Sequence, residues 1–359
     1  MKVGKKSEIS FDLHFYMMKH LLITRFSAMG DVAMTVPVIR ALIAQHPDVR
    51  VTVASRPFFK PFFDSIPHVD FFPIDVNDKH KGITGLYRLS NELKALNIDT
   101  FADFHNVLRT KILGFFLKLK GVKTATTDKG RTEKKALVKW EHKTITPVKS
   151  MHERHIDTLK KLGLTVDLSK VSFPKKTTLS QNLIKITGNK TQQWIGIAPF
   201  AQYETKMYPQ DLMQKVVQNL GNNPDYQVFL FGGKNEIEEL NKLKNNNSKI
   251  KIITGNLNFE EELQLISHLD VMLSMDSGNG HIAAMYGVPV VTLWGQTHPF
   301  AGFVPFNQPL SNSITPDLTK YPYLPTSIYG NKSAPNYENC MRDILPEQII
   351  QKIGEVINS

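Results

Sequence analysis

A glycine and an aspartate stand together near the start of the chain, in the segment 24–31, which has the sequence TRFSAMGD. The segment follows an apolar run. It therefore lies at the carboxyl end of a predicted strand, which is where ligands bind in open α/β sheets. Asp31 is a candidate general base, and Gly30 would let a substrate approach the backbone closely. The alternative is that Asp31 only caps the helix that follows.

A second polar turn follows the apolar run 271–274 and has the sequence DSGNGH. Glycines and small polar residues open a helix here, and the free N–H groups at its start, together with the helix dipole, suit a diphosphate. No Gly-Lys-Ser/Thr follows, so the turn is not a Walker A loop. The candidate contacts with a substrate that carries such a diphosphate are Asp276, Ser277, Gly278, Gly280 and His281. His281 could reach a phosphate or a sugar hydroxyl, although a lone histidine is more often structural.

Two further charged residues follow predicted strands. Lys206 is the only cation in the segment 198–209, APFAQYETKMYP, and could pair with a phosphate of the same substrate. The alternative is a solvated lysine beside a helix that begins at Pro209. Glu236 follows the run 227–231 and could hold ribose hydroxyls, or it could be an ordinary acid in a first helical turn.

Several metal-binding and cofactor patterns are absent from the sequence. The first turn lacks the G-x-G-x-x-G pattern of dinucleotide-binding dehydrogenases. No two aspartates are spaced as D-x-D, the metal-binding motif of GT-A transferases. His152 and His155 could share a helix face, but no third ligand lies nearby. We therefore expect no cofactor and no essential metal.

Positive charge is concentrated in one stretch of a chain whose net charge is +11. Residues 118–149 hold ten lysines and arginines against three acids. Such a stretch favours an anionic partner, such as a phosphorylated glycolipid, a membrane surface or a nucleic acid, unless it is ordinary solvated surface. Arg131, Lys134 and Lys135 are the candidates for contact with an anionic acceptor. No nucleic-acid-binding motif accompanies them, so we expect no nucleic-acid partner.

These residues are positioned by two series of strands and helices. Continuous apolar strands separated by helical patterns indicate βαβ units and buried parallel sheets. In the first half, strands are predicted at 21–24, 51–54, 71–74 and 100–103, with helices at 31–45 and 86–96. In the second half, strands are predicted at 194–198, 227–231, 250–253, 271–274 and 288–293, with helices at 209–220, 236–243, 259–268 and from 278.

The remaining segments separate or follow these two units. Residues 164–190 are polar and lysine-rich, so we interpret them as a linker. Seven prolines between 299 and 335 exclude a long helix or a central strand there. Residues 346–357 have the pattern of an amphipathic helix. We predict an α/β protein with two Rossmann-like domains facing across a cleft and a terminal helix, which is the GT-B architecture.

Length and composition agree with this interpretation. The chain has 359 residues, which suits two domains, and its 41% hydrophobic and 21% charged residues indicate a folded protein. The single cysteine, Cys340, excludes an internal disulfide and fits a reducing cytoplasm. No apolar run approaches the roughly 20 residues of a membrane span. The first strand pattern starts at His20, so residues 1–17 are predicted to be an extension outside the fold or a mis-assigned start.

Taken together, these motifs resemble glycosyltransferase family 9, the ADP-heptose:lipopolysaccharide heptosyltransferases. The likeness runs from about Leu21 to the C-terminal helix. Its most specific parts are Met29-Gly30-Asp31 with Pro37 beyond it, Lys206-x-Tyr208-Pro209, the turn 276–281 followed by Ile282-Ala283-Ala284 and Gly287-Val288-Pro289, and the ending Cys340-Met341 with Pro346-Glu347. Where the family often has small hydroxyl residues ahead of the lysine, this chain has Ala201 and Gln202.

The resemblance implies an inverting, metal-independent transfer of heptose from ADP-heptose to a lipopolysaccharide core acceptor of the lipid A–Kdo type. Asp31 matches the general base, Lys206 and the turn 276–281 match the donor-phosphate contacts, and Glu236 matches the ribose contact. We expect residues 18–175 to bind the acceptor, 190–345 to bind the nucleotide sugar, and 346–359 to form the closing helix. The enzyme would be cytoplasmic and attracted electrostatically to the inner membrane.

Two alternatives remain. The first is a GT-B transferase that uses another nucleotide sugar for cell-surface glycan synthesis. The second is a non-catalytic protein that binds a nucleotide or a glycan, against which the presence of Asp31, Lys206 and the turn 276–281 together argues.

Overall fold

The first half of the chain forms a five-stranded parallel sheet. The structure, a computed structural model, describes residues 19–140 and 145–359, and the predicted extension at 1–17 lies outside them. The strands are β1 (Lys19–Thr24), β2 (Val49–Ser55), β3 (Val69–Pro73), β4 (Thr100–Asp103) and β5 (Lys123–Thr126), in the order β3-β2-β1-β4-β5. The helices are α1 (Met29–Ala33), α2 (Thr35–Gln45), α3 (Gly82–Lys94), α4 (Leu108–Leu119), α5 (Arg131–Leu137) and α6 (Met151–Lys161).

The second half forms a six-stranded parallel sheet. Its strands are β6 (Gln193–Ala198), β7 (Tyr226–Leu230), β8 (Ile250–Ile252), β9 (Val271–Met275), β10 (Val290–Leu293) and β11 (Ser313–Ile314), in the order β11-β10-β9-β6-β7-β8. The helices are α7 (Gln181–Thr187), α8 (Gln210–Asn222), α9 (Ile237–Lys244), α10 (Phe259–Ser267), α11 (Gly278–Met285) and α12 (Pro346–Ile357). The two Rossmann-like domains predicted from the sequence are confirmed.

The strand orders explain where the polar turns meet. In each sheet the first strand lies beside the fourth, β1 beside β4 and β6 beside β9, and the strand order reverses between them. Such a reversal opens a crevice at the carboxyl ends of the strands. The turn 24–31 leaves β1, and the segment 199–206 and the turn 276–281 leave β6 and β9. All three polar segments therefore lie at the crevices.

Apolar packing continues from one domain into the other. Val32, Ala33 and Val36, next to the first crevice, belong to the same buried cluster as Ile282 and Ala283 of α11. Helix α12 covers the second domain with Ile349 and Ile353. Across residues 19–140 and 145–359, no helix combines the length and apolar character that crossing a membrane requires.

Some local predictions were wrong. The predicted helix 31–45 is two helices, α1 and α2, divided at Met34. The segment 164–190 is not only a linker, because it contains α7, whose Leu183 is fully buried. Helix α4 and strand β5 were not predicted. Most of α4's large apolar residues are exposed or half-exposed, so its pattern does not show a single buried face.

Candidate active site

Asp31 lies in the first turn of α1, directly beyond β1. Its Oδ2 accepts a hydrogen bond from the backbone N–H of Ala28 at 3.3 Å and pairs with Nη2 of Arg25. Arg25 is itself fixed, because its Nε donates to the carbonyl of Ser27 at 2.8 Å and its Nη1 to that of Phe104 at 3.0 Å. The side chain of Asp31 remains 29% exposed. It is therefore both a cap of α1 and a carboxylate held open to the crevice.

The opposite wall is the amino end of α11. Among the described residues, no side chain caps this helix end, so its first N–H groups remain available to an anion. The hydroxyl of Ser277 lies 3.1 Å from that of Ser274. The ring of His281 is buried, and its Nδ1 has no hydrogen-bond partner within the described chain. Burial lowers the pKa of His281, which favours the neutral imidazole.

Lys206 is neither solvated nor unpaired. It ends a short 3₁₀ helix, Glu204–Lys206, and its Nζ lies 2.9 Å from Oδ2 of Asp276. Both side chains are nearly buried, and the stem of Lys206 packs so closely on Gly330 that a Cβ at that glycine would overlap it. The alternative of a solvated lysine at a helix start is therefore wrong. The pair is neutral overall, and it holds the ammonium group of Lys206 at the first residues before the open end of α11.

Two glycines bring Asp31 against this wall. A Cβ built on Gly30 would lie 3.0 Å from the Cα of Gly278 and 3.0 Å from Cδ2 of His281. A Cβ built on Gly278 would lie 3.2 Å from Cε of Met29. The absence of both side chains lets α1 of the first domain touch α11 of the second. The carboxylate and the anion-binding helix end consequently share one crevice.

The crevice holds two neighbouring cavities that share Gln202, Ser277 and Gly278. The first, of about 350 Å³, is lined by Asp31, Lys206, Asp276, His281, Phe303 and Tyr329. The second, of about 360 Å³, is lined by Glu236, Glu262 and the aromatic rings of Phe58, Phe200, Phe231 and Phe259. The first is polar enough for a sugar and a phosphate, whereas the second offers ring surfaces to a nucleobase.

Glu236 is placed at the second cavity by its own turn. Its Oε2 accepts a hydrogen bond from the N–H of Gly233 at 2.5 Å. This contact directs the carboxylate toward the cavity edge, next to the phenylalanines. Phe58 comes from the first domain and stacks on Phe259 of the second, with ring centroids 4.4 Å apart. Sequence reasoning missed both phenylalanines, because nothing local marks a contact between rings 201 residues apart.

Cations surround Asp31, and sequence reasoning did not single out Arg25 or Lys129 among them. The charges of Arg25 and Lys129 act on His105, and burial together with these charges lowers the pKa of His105 to about 3. Burial also lowers the pKa of Lys129, with Arg25 adding to the effect. Arg25 could have been found from its place just after β1. His105 could not, since it follows β4 without any motif.

The three predicted acceptor contacts do not form one exposed patch. Arg131 and Lys135 are exposed on α5, but Lys134 is only 3% exposed. The Nζ of Lys134 lies 3.9 Å from the ring centroid of Phe303 and 3.6 Å from Sδ of Met151. Burial, followed by the nearby Arg154, lowers the pKa of Lys134 to about 8. The alternative of ordinary solvated surface is therefore wrong for Lys134, whose ammonium group packs on Phe303, a lining residue of the first cavity.

The sequence profile described as "Glycosyltransferase family 9 (heptosyltransferase)" matches residues 86–326. The chain belongs to glycosyltransferase family 9. This family 9 chain is 26% identical to lipooligosaccharide heptosyltransferase 2 of Campylobacter jejuni over 54% of its own length and 60% of that relative's length. It is 22% identical to lipopolysaccharide heptosyltransferase 2 of Escherichia coli over 94% of this chain and 98% of the relative.

Solved structures support the same architecture. The crystal structure of a family 9 glycosyl transferase from Veillonella parvula superposes with a TM-score of 0.72 at 20% identity, covering 95% of this chain and 98% of the other. At that identity the likeness concerns the fold. The two facing Rossmann-like domains of this family 9 chain are the GT-B arrangement.

Proposed function

We propose that this protein is an inverting heptosyltransferase that moves heptose from ADP-heptose to an anionic lipopolysaccharide core acceptor of the lipid A–Kdo type. One observation carries the proposal. A carboxylate of the first domain, Asp31, meets the uncapped end of α11 and the Lys206–Asp276 pair of the second domain across a glycine contact. The names of the relatives, lipopolysaccharide and lipooligosaccharide heptosyltransferases, supply the sugar and the acceptor class.

The proposed reaction is a single displacement. The acceptor hydroxyl oxygen attacks the anomeric carbon of the heptose and gives its proton to Asp31. The bond from that carbon to the diphosphate oxygen breaks, and its electron pair leaves with ADP. Arg25 holds Asp31 by one oxygen, so the carboxylate keeps its orientation during the proton transfer.

The donor would lie across both cavities. The nucleoside would occupy the aromatic cavity, with its ribose hydroxyls on Glu236. The diphosphate would lie over the N–H groups of Gly278 and Gly280, with Ser277 and His281 beside it. Lys206 and the helix end oppose the negative charge that grows on the leaving group, so we propose that no metal or cofactor is required.

The acceptor would approach from the first domain. Arg25, Lys129 and Arg131 act electrostatically around Asp31, which suits an acceptor that carries carboxylates or phosphates. Because such an acceptor is anchored in a lipid layer, we propose that the enzyme works as a peripheral protein on the cytoplasmic side of the inner membrane. The net charge of +11 supports attraction to an anionic surface.

The test is transfer by the purified chain, with ADP-heptose as donor and a lipid A–Kdo acceptor. We expect ADP and heptosylated product in equal amounts, with the anomeric configuration inverted relative to the donor. Asp31→Asn should lower turnover by about 10²–10⁴-fold, because the general base is lost, while calorimetry shows unchanged ADP affinity. A variant that turns over like the wild type would reduce Asp31 to a helix cap.

Donor identity needs its own measurement. Thermal shifts with ADP, UDP and GDP should be largest for ADP if the proposal holds. A larger shift with UDP or GDP, followed by turnover of the corresponding sugar, would establish the alternative of another nucleotide-sugar donor. Binding without turnover of any donor would leave a non-catalytic nucleotide-binding protein.

A further inference from the structure

Large apolar side chains are exposed to solvent on the outer face of α3 and α4. Ile83 and Tyr87 of α3 are 66% and 50% exposed, and Leu108, Phe115 and Leu119 of α4 are 75%, 58% and 71% exposed. Leu86 of α3 and Leu113 and Leu117 of α4 already fill the core beneath the sheet. The exposed residues therefore contribute nothing to that core. We call these five side chains the outer α3–α4 face.

Three of these side chains, Tyr87, Phe115 and Leu119, lie close together rather than at scattered positions. The ring of Tyr87 meets that of Phe116 edge-on with centroids 5.3 Å apart, and Phe116 lies 5.8 Å from Phe115. Leu119 is one helical turn beyond Phe115. Single exposed apolar residues are normal, whereas a contiguous exposed patch marks a surface that binds something.

The charges on this surface have one sign. Helix α4 carries Arg109, Lys111 and Lys118, all exposed, and contains no acidic residue. The Nζ of Lys120 lies 4.7 Å from the ring centroid of Tyr87. Glu92, the one acid of α3, is already paired with Lys79 at 3.0 Å. In a two-fold symmetric dimer formed through this face, these cations would lie opposite the same cations of the second copy. Their repulsion disfavours self-association.

The amino end of α4 lies near the active site. Helix α4 begins two residues beyond Asn106, whose side chain donates to the carbonyl of Thr127. The charge of Arg109, in the first turn of α4, acts on His105, as do the charges of Arg25 and Asp31. The amino end of α4 is thus a neighbour of the acceptor side of the crevice.

We propose that the outer α3–α4 face binds the surface of an anionic phospholipid bilayer, with its apolar side chains entering the interface and its cations facing lipid phosphates. Exposed aromatic and aliphatic groups set among lysines are the composition of an interfacial membrane contact. The inference rests on the proposed function and deepens it, because it names the surface that presents the crevice to a lipid-anchored acceptor.

The test is flotation of the full chain with vesicles of phosphatidylethanolamine and phosphatidylglycerol, and with phosphatidylcholine vesicles for comparison. The wild type should float with the anionic vesicles, and less so in high salt. Phe115→Ser/Leu119→Ser should lower the partition coefficient by about 100-fold, about tenfold for each apolar side chain that no longer enters the interface. Lys111→Gln/Lys118→Gln should lower it by about 25-fold at physiological salt, about fivefold for each lysine.

The matched control is Leu310→Ser/Leu345→Ser, which removes two leucines of the second domain that are 53% and 54% exposed. It should float like the wild type. Three results would each overturn the proposal. The wild type could fail to float with anionic vesicles, or the control could lose as much vesicle binding as Phe115→Ser/Leu119→Ser. Light scattering could also show that the wild type is a dimer and that Phe115→Ser/Leu119→Ser is not. Flotation uses no sugar donor, so failure of heptosyl transfer alongside normal flotation would refute only the proposed function.

Discussion

Gly30→Ala should separate the two halves of the active site without unfolding either domain. The new Cβ would lie 3.0 Å from the Cα of Gly278 and 3.0 Å from Cδ2 of His281. Unstrained carbon contacts lie at roughly 3.5–4.0 Å, so α1 and α11 must move apart by roughly 0.5–1 Å. Neither atom belongs to the free end of a flexible side chain. The displacement therefore falls on the contact between the domains.

The expected effect is larger on catalysis than on folding. Overpacking of this kind costs about 1–3 kcal/mol. A misplacement of about 1 Å between reacting groups can cost about 10²-fold in rate. Since Asp31 is adjacent to Gly30 and the donor site is on α11, we expect kcat to fall by about 10–100-fold. ADP affinity should change little, because most of the proposed nucleotide contacts lie within the second domain.

The assay is ADP release with a fixed acceptor, together with calorimetry of ADP binding and a thermal melt. The matched control is Gly354→Ala in α12, where a Cβ would meet nothing within 4 Å. That substitution should leave kcat unchanged and stabilise the helix by about 0.5–1 kcal/mol. If Gly30→Ala keeps the wild-type kcat, the α1–α11 contact is not part of the catalytically competent state, and the assignment of both walls to one site fails.

Three further predictions concern charges. Lys206→Ala should weaken ADP binding by about 10–100-fold, because a charge-assisted contact is lost and Asp276 is left unpaired beside the diphosphate, and unchanged affinity in calorimetry would remove Lys206 from the site. Arg131→Gln/Lys135→Gln should raise the acceptor KM in a salt-sensitive manner and leave the donor KM alone; an effect on the donor only would contradict the placement of the acceptor. Folding lowers the pKa of Lys134 from 10.5 to about 8, so between these pH values the unfolded chain binds more protons than the folded chain. The contribution of Lys134 to the free energy of unfolding of the wild type therefore increases as the pH rises from 8 toward 10.5. Lys134→Met should therefore be more stable than wild type at pH 7, by on the order of 3 kcal/mol, and this difference should shrink above pH 8 in chemical denaturation; a constant difference would show that Lys134 titrates normally.

Several of these expectations depend on facts that no local pattern contains. The sequence marks Lys206 and Asp276 as separate candidates, but their pairing requires that β6 and β9 be neighbours in the sheet. The sequence counts Lys134 among the charges of 118–149. Only the packing of α5 against Met151 and Phe303 removes it from solvent. Helix α4 was not predicted because its outer face is apolar as well as its buried face. The apolar residues therefore do not repeat with the 3.6-residue spacing that indicates a half-buried helix.

From sequence patterns alone, most strands and most helices of two Rossmann-like units could be predicted, as could the polar segments 24–31, 198–209 and 276–281. This was possible because strand and helix periodicity and glycine-rich turns are local properties of the chain. The tertiary structure alone decided that Gly30 touches Gly278, that Phe58 stacks on Phe259, and that Arg25 fixes Asp31. The first two contacts join residues more than 200 positions apart, and contact across such a separation depends on strand order and domain docking, which no local pattern encodes.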